Sequence, residues 1–209
     1  MAGNIKQNNY ETAYNEAAGN LLHKDLTDVA AKSGASLSNQ SGSTCLEVLF
    51  FNDIIIITHP QVTLKYKSKN SEVSMWARIL LLHYLTQAKG TPTTGEQITF
   101  KQVPGGLGYY PAFKRRTINP LLKIFGNNLQ GFAAAAERLG GIRSDISKYS
   151  FLFKIFPRVS VLFTLWEGDE EFPADGNIVF DSSITDYLTS EDIAVMCNMS
   201  ALMIVKEGR

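Results

Sequence analysis

Two apolar runs, residues 149–156 and 159–166, stand on either side of Pro157-Arg158. Largely apolar stretches of this length suit strands buried in the middle of a sheet. The two-residue break between them suits a tight reversal. They predict a pair of central strands that the rest of the chain must cover. Material for that cover is ample: 44% of the 209 residues are hydrophobic and 11% aromatic, so the core needs no covalent staples.

Around this pair the pattern predicts helices over 9–20 and 26–32, the second stopped by Gly34. Residues 36–44 are polar and contain Gly42, and read as a loop. Strands follow at 45–51, 54–58 and 62–66, with a hairpin turn at Asn52-Asp53 and a break at His59-Pro60. A helix from Ser71-Glu72 to Lys89-Gly90 is apolar in nearly every direction, the mark of a helix covered on several sides. A short strand at 97–101, a Gly-rich turn at 104–108 and helices over 111–125 and 128–139 come next. Beyond the central pair lie a strand at 178–180 and a final helix capped by Thr189, with Ile193, Met196, Met199, Leu202 and Ile204 facing inward. Strands and helices come in blocks and do not alternate. The expected class is therefore α+β: a largely antiparallel or mixed sheet packed by about five helices, with residues 1–209 as a single domain.

Twenty Lys and Arg balance twenty Asp and Glu, for a formal net charge of zero. Such a balance argues against nucleic acid as the main partner, because neutralising phosphates takes a basic excess. Only Cys45 and Cys197 occur, so zinc-ribbon, CxxC redox and all-cysteine iron–sulfur sites are excluded within this chain. No apolar run reaches membrane-spanning length, and Met1–Lys6 lacks the apolar core of a leader. The expectation is a cytoplasmic protein with two reduced, buried thiols and no membrane partner.

No motif names a reaction, and cofactor and oligomeric state stay open. Two segments carry candidate chemistry. In the first, Gly105, Gly106 and Gly108 precede Pro111, a residue suited to the first helical position, and Lys114, Arg115 and Arg116 follow within a turn. Converging N–H groups at a helix start, with cations behind, favour a small anionic molecule. The plain alternative is a strand-to-helix turn backed by solvated bases. The second segment, residues 166–175, sets Glu167, Asp169, Glu170, Glu171 and Asp175 between Trp166 and Phe172-Pro173, with Asp181 and Asp186 beyond. Clustered carboxylates hold hard divalent ions or shift one another's pKa; equally, they make an exposed connection. Asp169, just after Gly168, is placed to accept N–H bonds from residues 170–172. His23, His59 and His83 lack ligand spacing, and His83, in the most apolar helix, reads as a hydrogen-bonded core histidine.

The segments 103–113, 139–141, 156–162, 166–173 and 180–183, with Tyr187-Leu188 and Glu191-Asp192, together resemble a domain family of unknown function from strictly anaerobic bacteria and archaea. Trp166-Glu167-Gly168-Asp169-Glu170-Glu171-Phe172-Pro173 is the specific part of the likeness. Some members of that family carry an added four-cysteine domain of the iron–sulfur type seen in corrinoid proteins, which this chain lacks. The resemblance implies a loose association with corrinoid or one-carbon metabolism and no particular activity. Three readings follow. The leading one is a ligand-binding or accessory module with one pocket where the two segments meet. Gly105, Gly106 and Gly108 would act as donors, Arg115 or Arg116 as counter-charge, and Tyr109, Tyr110 and Trp166 as an aromatic wall, with Asp169 and Asp181 alongside. A second is a metal-assisted hydrolase or isomerase using Asp169, Glu170 and Asp181. The third is an interaction subunit that docks a protein partner.

Overall fold

The computed structural model describes residues 2–40 and 42–208, with side chains from residue 9 onward. Met1, the first residue of the segment read for a leader, lies outside them. The class is α+β, as expected, with the strands divided between two antiparallel sheets. Contacts group the chain into two compact units. One comprises Met1–Pro92 with short returns at Phe156–Arg158 and Asp186–Leu188; the other comprises Thr93–Ile155, Val159–Thr185 and Thr189–Arg209. Neither is a continuous stretch of sequence.

The first unit runs α1 (Ala2–Leu22), α2 (Leu26–Ser33), β1 (Ser36–Gln40), β2 (Ser43–Phe50), β3 (Asp53–His59), β4 (Thr63–Tyr66) and α3 (Met75–Gln87), its sheet ordered β1-β2-β3-β4. The segment expected as a loop is an edge strand: Ser36 pairs with Glu47 and Gln40 with Ser43. With one side unpaired and little burial, β1 had no need of apolar residues. Phe50 pairs with Asp53, so the hairpin turns at Phe51-Asn52, one residue earlier than expected, with Phe51 at φ 53°.

Tyr84 of α3 gathers this unit. Its ring stacks on Phe156 with centroids 4.1 Å apart and lies 5.9 Å from Tyr187. The hydroxyl donates to the Ser33 carbonyl and accepts from the Arg158 N–H at 3.2 Å. Burial pushes the phenol's pKa far up, so it remains a donor at any ordinary pH.

The second unit holds β5 (Gln97–Thr99), a 3-10 turn (Phe100–Gln102), α4 (Gly106–Arg116), α5 (Ile118–Phe125), α6 (Leu129–Arg138), β6 (Ile142–Arg143), β7 (Ser150–Phe156), β8 (Val159–Trp166), β9 (Asp175–Asp181) and α7 (Ser190–Glu207). Its sheet is ordered β5-β9-β8-β7-β6, so the two apolar runs are neighbours and β8 is the middle strand. From Val161 to Leu165 every β8 residue is buried, and Thr164 meets Ser150 of β7 in a buried hydroxyl pair at 2.8 Å. The helix expected over 111–125 is two helices. Thr117 turns its hydroxyl back to the Phe113 carbonyl at 2.8 Å, and Pro120, lacking an N–H, sits in the first turn of α5. On α7 the inward stripe is Ile193, Met196, Cys197, Ser200, Ala201 and Ile204; Leu202, expected inside, is 51% exposed.

Tyr84→Phe keeps the ring stack but leaves the carbonyl of fully buried Ser33 without its donor. Urea unfolding should register a loss of about 1–3 kcal/mol, with the far-ultraviolet dichroism of the folded protein unchanged.

Candidate functional site

The glycine segment is a helix start of a kind the sequence did not suggest. Gly105, at φ 76°, is the residue before α4, and Gly106 already lies in the helix. A Cβ on Gly106 would come within 1.9 Å of the Phe100 carbonyl oxygen, so glycine here allows α4 to close on the preceding 3-10 turn. Phe100 and Phe113 stack at 4.1 Å across that contact. The Gly106 N–H, expected to meet a ligand, donates instead to the Val103 carbonyl at 2.8 Å. Pro111 falls inside α4 rather than at its first position, on the exposed side where a lost backbone bond faces solvent. Tyr109 accepts a 2.6 Å bond from Arg116, and Lys101 sits 4.4 Å above the Tyr110 ring. Arg115 points to solvent.

The acidic segment is the connection between β8 and β9, closed at its base by the Trp166–Asp175 pair. Asp169 governs its shape. One carboxylate oxygen accepts the N–H groups of Glu171 at 2.9 Å and Phe172 at 2.7 Å, and the Asp169 N–H donates to the Phe172 carbonyl at 2.8 Å. Gly168 admits no side chain, since a Cβ would meet the Ala174 nitrogen at 2.6 Å. Fixed in this way, the loop holds Glu167, Glu170, Glu171 and Phe172 in solvent, Phe172 at 67% exposure. Behind it, a cleft of about 510 Å³ separates residues 167–169 and 172–174 from Gly126, Asn127 and Leu129 at the α5–α6 turn. Glu167 also acts on Lys148, whose pKa is raised chiefly by Tyr149 and further by the Glu167 charge.

The structure does not gather the sequence-predicted residues into one pocket. None of Gly105, Gly106, Gly108, Tyr109, Tyr110, Arg115 or Arg116 lines the cleft. Only Lys114, in the last turn of α4, reaches the acidic connection, through Asp175 at 3.1 Å. Eight helical residues, about 12 Å of rise, separate it from Gly106. The carboxylate trio is likewise split. Asp175 and Asp181 open and close β9, about 20 Å apart at the usual rise of a strand, so Asp181 is remote from Asp169 and Glu170.

Asp181 is committed elsewhere: it accepts from Thr94 N–H at 3.0 Å, Gly95 N–H at 2.8 Å, Ser183 N–H at 3.0 Å and the Ser183 hydroxyl at 2.6 Å. Partial burial pulls its pKa up. The Ser183 hydroxyl and these N–H groups outweigh that pull and hold the carboxyl well below the usual range. Among the described residues no three His, Cys, Asp or Glu side chains form a set able to hold a metal ion.

Sequence reasoning missed a second concavity. A cleft of about 720 Å³ lies between α1 and α3, lined by Glu16, Asn20, His23 and Lys24 on one side and His83, Thr86 and Gln87 on the other. His83, expected in the core, is only half-buried. The polar trio His83, Thr86 and Gln87, at i, i+3 and i+4 in an otherwise apolar helix, was the available signal.

Asp169→Ala should cost about 1–2 kcal/mol in chemical denaturation, as loss of a side-chain acceptor for exposed N–H groups does at helix caps. Asp169→Asn, which keeps an acceptor but not the charge, should fall between Ala and the parent. Glu170→Gln and Glu171→Gln should stay within about 0.5 kcal/mol of it. Asp181 makes stability depend on pH in acid. Its folded pKa lies below the unfolded value of about 3.9, so its contribution is complete above that value and drains as pH falls toward the folded one. In acid titration followed by fluorescence, Asp181→Asn should be less stable than the parent at pH near 6 and lose less on acidification.

No helix among the described residues is long and apolar enough to cross a membrane. No curated protein and no solved structure matches the chain. One family model matches residues 25–203, from the Asp25 cap of α2 to Met203 in the last third of α7. It takes in both segments analysed above and leaves out α1. On that match the chain belongs to the family described as Domain of unknown function (DUF3786).

Proposed function

We propose that this chain is an accessory module that recognises a protein partner through the β8–β9 connection. The observation that carries this reading is Phe172, two-thirds exposed on a loop whose backbone is already held by the Asp169 carboxylate. A large aromatic displayed on a pre-ordered loop binds without the entropy loss of ordering that loop, and aromatic anchors dominate interface energies. Exposed Glu167, Glu170 and Glu171 share the loop with it. The matching surface is therefore an apolar seat rimmed by bases, and the rim charges act on encounter rate and orientation. The likeness of residues 166–173 to a family of strict anaerobes supports a cytoplasmic role associated with corrinoid or one-carbon metabolism. In this reading the chain folds as one domain, since neither compact unit is a continuous stretch of sequence.

The test is a photoreactive benzoylphenylalanine at position 172, irradiated in the native host. One discrete protein adduct is expected, weakened strongly by adding Glu170→Lys and Glu171→Lys. No adduct, or a diffuse set indifferent to those changes, would overturn the reading.

A further inference from the structure

Among the described residues the two most exposed large apolar side chains are Leu107, at 70%, and Phe172, at 67%. Both belong to the second unit, and their surroundings are opposite in charge. Leu107 lies on the outward face of α4 with Pro111 and Arg115, at i, i+4 and i+8. That helix contains Lys114, Arg115 and Arg116 and no acidic residue. Beside Leu107, Gly108 has open space where a Cβ would be, leaving room for a ring to approach the helix backbone. Phe172 sits in the connection that contains Glu167, Asp169, Glu170 and Glu171 and no base.

We propose that the partner of the loop is a second copy of this chain: Phe172 of each copy seats against Leu107 and Gly108 of the other, with Glu170 and Glu171 facing Arg115 and Arg116. The assignment rests on the docking reading above and names its occupant. Charge complementarity argues for this occupant, since α4 carries an exposed apolar residue in its first turn and bases in its last, where the loop carries a phenylalanine and glutamates. Zero net charge leaves no general repulsion between copies. Closure follows from position. Lys114 in the last turn of α4 pairs with Asp175 at the base of the loop at 3.1 Å, so the basic end of α4 and the loop are neighbours on one unit, with Leu107 about 10 Å further along the helix. Neighbouring complementary patches allow a two-fold arrangement in which each contact is made twice, and such an assembly stops at two copies.

Sedimentation analysis of the full chain should find a species of twice 23.1 kDa at concentrations up to roughly 100 µM. Its dissociation constant should rise about tenfold or more between low and high salt, as screening shortens the reach of the rim charges. Arg115→Glu/Arg116→Glu and Glu170→Lys/Glu171→Lys should each be monomeric, with thermal melts close to the parent's. Mixing the two variants, or combining all four changes in one chain, should restore the dimer. A monomeric parent, a dimer untouched by the reversals, or assemblies that keep growing with concentration would overturn the proposal. A monomeric parent that still crosslinks from position 172 to a different protein removes only the second-copy assignment. A monomeric parent with no such crosslink removes the docking reading as well.

Discussion

Strand β8 is buried on both faces along its middle, and the arrangement of the second unit follows from that burial. A strand in this position cannot leave backbone groups unpaired, so it needs a neighbour on each side, and β7 and β9 supply them. It cannot hold an unpartnered side-chain polar atom there either, and its buried hydroxyl, Thr164, is matched by Ser150 at 2.8 Å. Where burial stops, at Trp166, the chain emerges into solvent and must reverse to form β9. The family-specific residues occupy that reversal. The exposed loop is thus anchored at one end to the buried strand β8 and at the other to its neighbour β9, which makes it a rigid display element.

The acidic residues of this region divide into two groups that composition cannot tell apart. Asp169, Asp175 and Asp181 are short, stand next to backbone turns or a lysine, and are used up in holding the fold. Glu167, Glu170 and Glu171 reach further from the backbone and stay in solvent. Short carboxylates bend back to their own main chain and long ones do not. A cluster that resembles a ligand set in sequence therefore becomes three structural clamps and a charged rim. The same logic applies to the glycines. Gly106 is required by its approach to Phe100, and Gly108 alone of the helical pair faces open space.

Much of the fold was legible because burial writes itself into spacing. The runs at 149–156 and 159–166, the apolar α3, and the Thr189 cap with Asp192 three residues on, all appear in the structure near their expected places. Misreadings occurred where local chemistry was ambiguous. A polar edge strand looks like a loop, because its outer side has nothing to bury against. Pro111 looked like a helix start, yet a proline on the solvent side is tolerated one turn in, and Pro120 marks the true second start. His83 looked buried because its neighbours in sequence are, but its direction on the helix faces the α1–α3 cleft.

By itself the sequence determined the class, the order of nearly all elements, the central strand pair, and Asp169 as the organiser of its turn. Each of these depends on periodicity or on residues a few positions apart, and such interactions are readable along the chain. The tertiary structure decided which residues share a surface. It separated Gly105 and Asp181 from the cleft at the acidic connection, joined that connection to α4 through Lys114, and placed Phe172 and Leu107 in solvent. Those outcomes depend on the direction in which whole helices and strands lie, and that direction is set by packing between segments far apart in sequence.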